Sequence, residues 1–263
     1  MLKRELKVNF KNFIIWLSVL AGIFMIAYVM YPFIMTDETV GMLDTMLSQM
    51  PPEMVKAFNF DISSMDSAYG WLKSEGFIFA LLIISCYASV LGTNILLKEE
   101  SDKTIEYLHS LPITRKQIVN NKVISGLMYI VGMVIVFMIF NFIALILSGD
   151  FDKTQFFLIS LTPLFPALVA YFISMYFATY THKTKKMIGF SLAIVIISYF
   201  INTLSSMSEN VEFLKYLSIF TLADLRNVII NIEIKPIMII ISILLSIIFY
   251  LLTLNRYSKK EML

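Results

Sequence analysis

Six uncharged, strongly apolar runs punctuate the chain: Asn12–Met35, Gly76–Leu97, Val123–Gly149, Thr154–Thr181, Met187–Ser208 and Pro236–Asn255. About 20 apolar residues cross the ~30 Å hydrocarbon layer as a helix. A helix satisfies its own backbone hydrogen bonds, so six such runs predict an all-α membrane protein of six transmembrane helices. The bulk composition agrees: 58% of residues are hydrophobic and 15% charged, against about one quarter charged in soluble domains. No internal repeat or second folded unit is visible, so residues 1–263 are taken as one transmembrane domain. The start, Met1-Leu-Lys-Arg-Glu-Leu-Lys, is followed by no small-residue cleavage site, and the first run is expected to be retained.

Orientation follows from the basic residues between runs. Segments 1–11, 98–122, 182–186 and 256–263 hold 15 of the 21 Lys and Arg, and 13 of the 19 acids lie in the alternate segments. Both termini and the 99–122 loop are therefore expected in the cytosol. Lysine outnumbers arginine 17 to 4 and Ile, Asn and Phe abound, as in AT-rich bacterial genomes, so the expected location is a bacterial cytoplasmic membrane.

Residues 1–11 place Leu2, Leu6, Phe10 and Phe13 on one helical face, and Lys3, Arg4, Lys7 and Lys11 on the other. That pattern predicts an N-terminal interfacial amphipathic helix on an anionic leaflet. In the acidic segment 36–75, proline at its first turn predicts a helix over 51–60, with Met54, Val55, Phe58 and Phe60 against the membrane. Residues 209–235 read as short interfacial or re-entrant helices.

The loop between the second and third runs has internal order. Asp102 is positioned to cap a short helix through Ser110, with Ile105 and Leu108 on one face, and Pro112 ends it. Thr114-Arg-Lys-Gln117 is a capping box that starts a second helix leading straight into the third run. The loop so read is a short helix across the membrane surface, a turn, then a rigid continuation into the bilayer.

These residues resemble the cytosolic loop of type 2 ABC transporter permeases. Glu100, Thr104, Glu106, Leu111, Pro112, Ile113, Thr114, Arg115 and Lys122 match its pattern, with Lys103 where glycine is usual. The layout of the whole chain is similar too. The resemblance implies a coupling helix docking on a separate nucleotide-binding ATPase subunit, and two permease subunits, identical or different, forming the translocation pathway. Ile105, Tyr107 and Leu108 would touch the ATPase; Glu106, Pro112 and Arg115 would shape and position the helix. ATP and Mg would be bound by the partner ATPase, with no cofactor or metal in this chain. The implied activity is that of a non-catalytic subunit of an exporter.

Several absences support this reading. No Gly-x-x-x-x-Gly-Lys-Ser/Thr occurs, so the chain has no phosphate-cradling loop of its own. The six runs carry no acid, lysine or arginine, which disfavours ion-coupled transport. His-Glu-x-x-His and Gly-x-Ser-x-Gly are missing, which disfavours membrane proteases and hydrolases. Polar residues within the runs, Ser85, Ser89, Asn94 and Asn141, are candidates for lining a pathway or for bonding between helices. Pro163 and Pro166 predict a break in the fourth span. The apolar, Met- and Phe-rich interior suits hydrophobic or amphipathic cargo such as peptides, antibiotics or lipids. A membrane anchor, or a channel or membrane enzyme independent of ATP, is the competing class.

Overall fold

The computed structural model describes residues 1–34, 36–50, 67–102, 104, 113–149, 151–207 and 209–260. The elements in chain order are α1 (Leu2–Ile34), α2 (Asp37–Ser48), α3 (Ala68–Trp71), α4 (Phe77–Ser101), α5 (Arg115–Ser148), α6 (Lys153–Leu161), α7 (Leu164–Ala178), α8 (Thr184–Met207), α9 (Leu225–Asn231) and α10 (Pro236–Lys259). A π-helical turn, Leu72–Gly76, joins α3 to α4, and two 3-10 segments, Glu209–Leu217 and Ile219–Ala223, precede α9. Six helical stretches among the described residues are long and apolar enough to cross a membrane: α1, α4, α5, α6 with α7, α8 and α10. The fold is an all-α membrane protein.

Two spans form the centre. In α4 and in α6–α7, 72% and 67% of the apolar window is buried, against 11% to 33% for the other four spans. Small residues allow this close packing. A Cβ on Gly92 of α4 would stand 2.3 Å from the Tyr171 carbonyl oxygen, and one on Gly126 of α5 would stand 2.2 Å from the Tyr171 hydroxyl. Tyr171 of α7 thus sits wedged between two helices that have nothing larger than hydrogen there. Beside it, Ser89 and Ser174 share a buried hydrogen bond of 2.9 Å, and Thr93 and Ser191 one of 2.8 Å.

The fourth span breaks where its prolines predict. Pro163 has no N–H to offer the Ile159 carbonyl. That oxygen instead accepts from the Thr162 amide at 3.0 Å and the Thr162 hydroxyl at 2.7 Å, so the gap between α6 and α7 leaves it bonded. The segment 209–231 folds back as short helices. Ile219, Phe220, Leu222 and Ala223 are buried against the bundle, and the Ile219 amide donates to the Ser198 hydroxyl at 2.8 Å.

The expected separate interfacial helix over 1–11 is corrected. The 33 residues of α1 run without interruption, about 50 Å at ~1.5 Å per residue, longer than the ~30 Å apolar layer. The side packed against the bundle belongs to neither the apolar nor the basic face read from the sequence. Glu5 and Asn9 are buried, whereas Phe10 is 55% exposed. The helix expected over 51–60 lies outside the described residues, as does the one expected from 102 to 110 beyond its first residues. Asp102 itself closes α4, its amide donating to the Lys98 carbonyl at 2.8 Å.

Segments separated by charge counting gather at opposite ends of the bundle. At one end meet the start of α1, the end of α4, the start of α5, residues 181–182 and the end of α10. At the other, Tyr69 donates to Gln155 at 2.9 Å, and Gln155 donates to the Ile229 carbonyl at 2.7 Å.

Candidate functional site

Two stems, the end of α4 and the start of α5, flank the loop between them, and both stems are charged. The α5 stem begins as the sequence predicts. Thr114 Oγ1 accepts from the Gln117 amide at 3.2 Å, and the Gln117 side chain accepts from the Thr114 amide at 2.9 Å. This capping box satisfies two donors at the helix start, and α5 then continues unbroken from the loop into its span.

Two turns into α5 stands Lys122, whose side chain is 0% exposed. An ammonium carries three donors, and a buried one needs all of them bonded. Lys122 Nζ donates to the Ile95 carbonyl at 2.6 Å, to Glu99 Oε2 at 2.7 Å and to Glu5 Oε1 at 3.4 Å. The acceptors come from α4 and α1, so one side chain of α5 joins three helices. Next to it, the Tyr129 hydroxyl donates to the Leu6 carbonyl, and the rings of Phe13 and Tyr129 lie 5.1 Å apart.

Glu100, the neighbour of Glu99, faces a different set. Lys260 Nζ donates to both of its oxygens, at 2.7 and 2.9 Å, and to the Thr181 carbonyl at 2.8 Å. His182 Nδ1 lies 2.6 Å from Glu100 Oε2. Burial holds the Lys260 ammonium below the ordinary lysine value, while its hydrogen bond and attraction to Glu100 oppose that shift.

Arg115, at the first position of α5, reaches the same corner. Its Nη1 donates to the carbonyls of Ser258 at 3.0 Å and Lys260 at 2.9 Å. These groups end α10, where carbonyls lack intrahelical partners and a cation is favoured. The Tyr250 hydroxyl donates to Asn120 at 2.8 Å, a second tie between α10 and α5.

Of the residues singled out from the sequence, Arg115 lies in this site. Ile105, Glu106, Tyr107, Leu108 and Pro112 fall outside the described residues. The four polar span residues do not converge. Ser89 bonds to Ser174 between α4 and α7, and Ser85, one turn earlier, is buried with its hydroxyl unbonded among the described residues. Asn141 is fully buried, donating to the Phe137 carbonyl at 2.8 Å and accepting from Tyr28 of α1 at 2.9 Å. Asn94 and Asn141 each stand seven residues before the end of their helix, at opposite ends of the bundle.

Sequence reasoning missed Glu5 and the partners of Lys122. A signal existed: Glu5 is the single acid among four cations in residues 1–11. Its partner, however, is 117 positions away. Among the described residues, no group of three or more His, Cys, Asp and Glu is placed to hold a metal ion. The charged groups here are consumed by one another, which is the chemistry of a joint between helices.

A polytopic helical membrane protein, with a capped loop between its second and third spans and buried ion pairs at that loop's base, is the class defined so far. The chain belongs to the ABC-2 family: the family described as ABC-2 family transporter protein matches residues 1–262. It is accordingly a membrane-spanning permease subunit of an ABC transporter, in a family whose members are generally non-catalytic. No curated protein and no solved structure matches the chain.

Proposed function

We propose that this permease is half of a dimeric exporter, driven by a separate ATPase that docks on the loop between α4 and α5. The loop and both termini face the cytosol, in keeping with the distribution of Lys and Arg. The observation that carries the reading is the start of α5. A capping box fixes it at the loop, and the helix runs from Arg115 to Ser148 without a break. Displacement of the loop is therefore passed along one stiff rod into the span. ATP and Mg belong to the partner, and Ile105, Glu106, Tyr107, Leu108 and Pro112 form the docking helix, with Arg115 at its base. The cargo is hydrophobic or amphipathic (peptide, antibiotic or lipid), a reading supported by the uncharged, Met- and Phe-rich membrane-spanning runs.

The test is purification of the chain from its native membrane or with its co-expressed ATPase. A nucleotide-hydrolysing subunit without spans should accompany it, and Ile105→Glu with Leu108→Glu should release that subunit while leaving the permease folded. Survival of the complex in the double variant overturns the docking assignment.

A further inference from the structure

We infer that Lys122, held between Glu5 and Glu99, is a positioning residue that makes α1 travel with the two stems of the loop. A push on the loop then reaches the first span as well as the third. The inference rests on the proposed docking of an ATPase at that loop.

Three observations support it. The two stems are tied to each other, because Lys122 of α5 bonds the Glu99 carboxylate and the Ile95 carbonyl of α4. The first span is tied to the α5 stem through Glu5, which pairs with Lys122 at 3.4 Å and whose side chain is 4% exposed. And α1 is otherwise the least enclosed of the six spans, with 11% of its apolar window buried. Most of that helix faces outward, and packing alone gives it little reason to follow a particular neighbour.

The physics of the buried pair supplies that reason. A carboxylate out of water is tolerated only while it is bonded to a counter-charge. If the stems moved and α1 stayed behind, Glu5 would lose its ammonium and would have to take up a proton or reach water. A helix held by ring packing can slide; one held by a buried ion pair moves with its partner or exposes it to water. The lysine ammonium suits the junction, since a compact charge with three donors can meet acceptors converging from three directions. Tyr129, which bonds the Leu6 carbonyl one residue beyond Glu5, braces the same contact from α5.

Glu5→Met tests this without unpairing the lysine, because Glu99 and the Ile95 carbonyl remain. The full chain with its ATPase is placed in lipid nanodiscs, and amide hydrogen exchange is followed with and without ATP and vanadate. In the unaltered complex, nucleotide should change exchange both in the stems (98–102 and 114–122) and in residues 2–11, by about three-fold or more. In Glu5→Met the stems should still respond, and the response of residues 2–11 should disappear. Should Glu5→Met not assemble, Glu5→Gln, which keeps a hydrogen-bond acceptor but not the charge, is expected to weaken the response of residues 2–11 in the same way. The inference is overturned if residues 2–11 respond equally in the variant, or if they never respond while the stems do. Stems indifferent to nucleotide in the unaltered complex would instead refute the docking of the ATPase on this loop.

Discussion

The two ends of this bundle carry the same kinds of charged residue and use them in opposite ways. At the loop end, Lys122 with Glu5 and Glu99, and Lys260 with Glu100, are ion pairs whose side chains are at most 6% exposed. They join segments from 23 to 160 positions apart. At the other end, Glu212 and Lys215 pair within a single turn and are largely open to solvent, and Lys235 meets Asp224 with its side chain 45% exposed. A pair in water contributes little and is screened by salt. A buried pair persists only in a geometry that satisfies every donor and acceptor, so it specifies the relative placement of its helices. Among the described residues, buried charge pairs fix the loop end, and the charge pairs of the opposite end lie more open to solvent.

The sharpest way to break this contrast is Lys122→Met. It leaves the Glu5 and Glu99 carboxylates buried without a counter-charge, and a loss of about 3–5 kcal/mol is expected. A large fall in the thermal midpoint of the purified chain, or failure to accumulate, would show it. Gly92→Ala acts at the centre, between the two ends. The added methyl meets the backbone of Tyr171 rather than a movable side chain, so about 1–3 kcal/mol should be lost through separation of α4 and α7, again read by thermal unfolding. Tyr28→Phe removes the bond to Asn141 between α1 and α5, and a loss of about 0.6 kcal/mol is expected, the average for such bonds in a bundle. Lys215→Met marks the floor: the pair lies open to water, and the thermal midpoint should not move. If Lys215→Met proved as harmful as Lys122→Met, the contrast between the ends would be void.

How far the sequence revealed this arrangement depends on the range of the interactions. The six spans were legible because length and apolarity decide them locally. The capping box at Thr114 and Gln117 and the break at Pro163 were legible because each works within one turn. Glu5 was not. Helical periodicity assigned residues 1–11 an apolar face and a basic face, and the inward side chains of Glu5 and Asn9 belong to neither. The Glu5 carboxylate is turned inward to meet Lys122, 117 positions away, which no local pattern connects to it. Arg115 was expected to position the loop helix by an ion pair; the bonds it makes, to the carbonyls of Ser258 and Lys260, arise only once α10 packs beside α5. The docking face itself, 105–112, is read from sequence alone.

The most direct test of the whole account is site-specific photocrosslinking in native-like membranes. A photoreactive side chain at Tyr107, in the loop, should capture the ATPase subunit, and the same group at Tyr216, 79% exposed near the opposite end, should not. Capture from Tyr216, or no capture from Tyr107 while the two subunits still co-purify, would contradict the claim that this transporter is driven through the loop between α4 and α5.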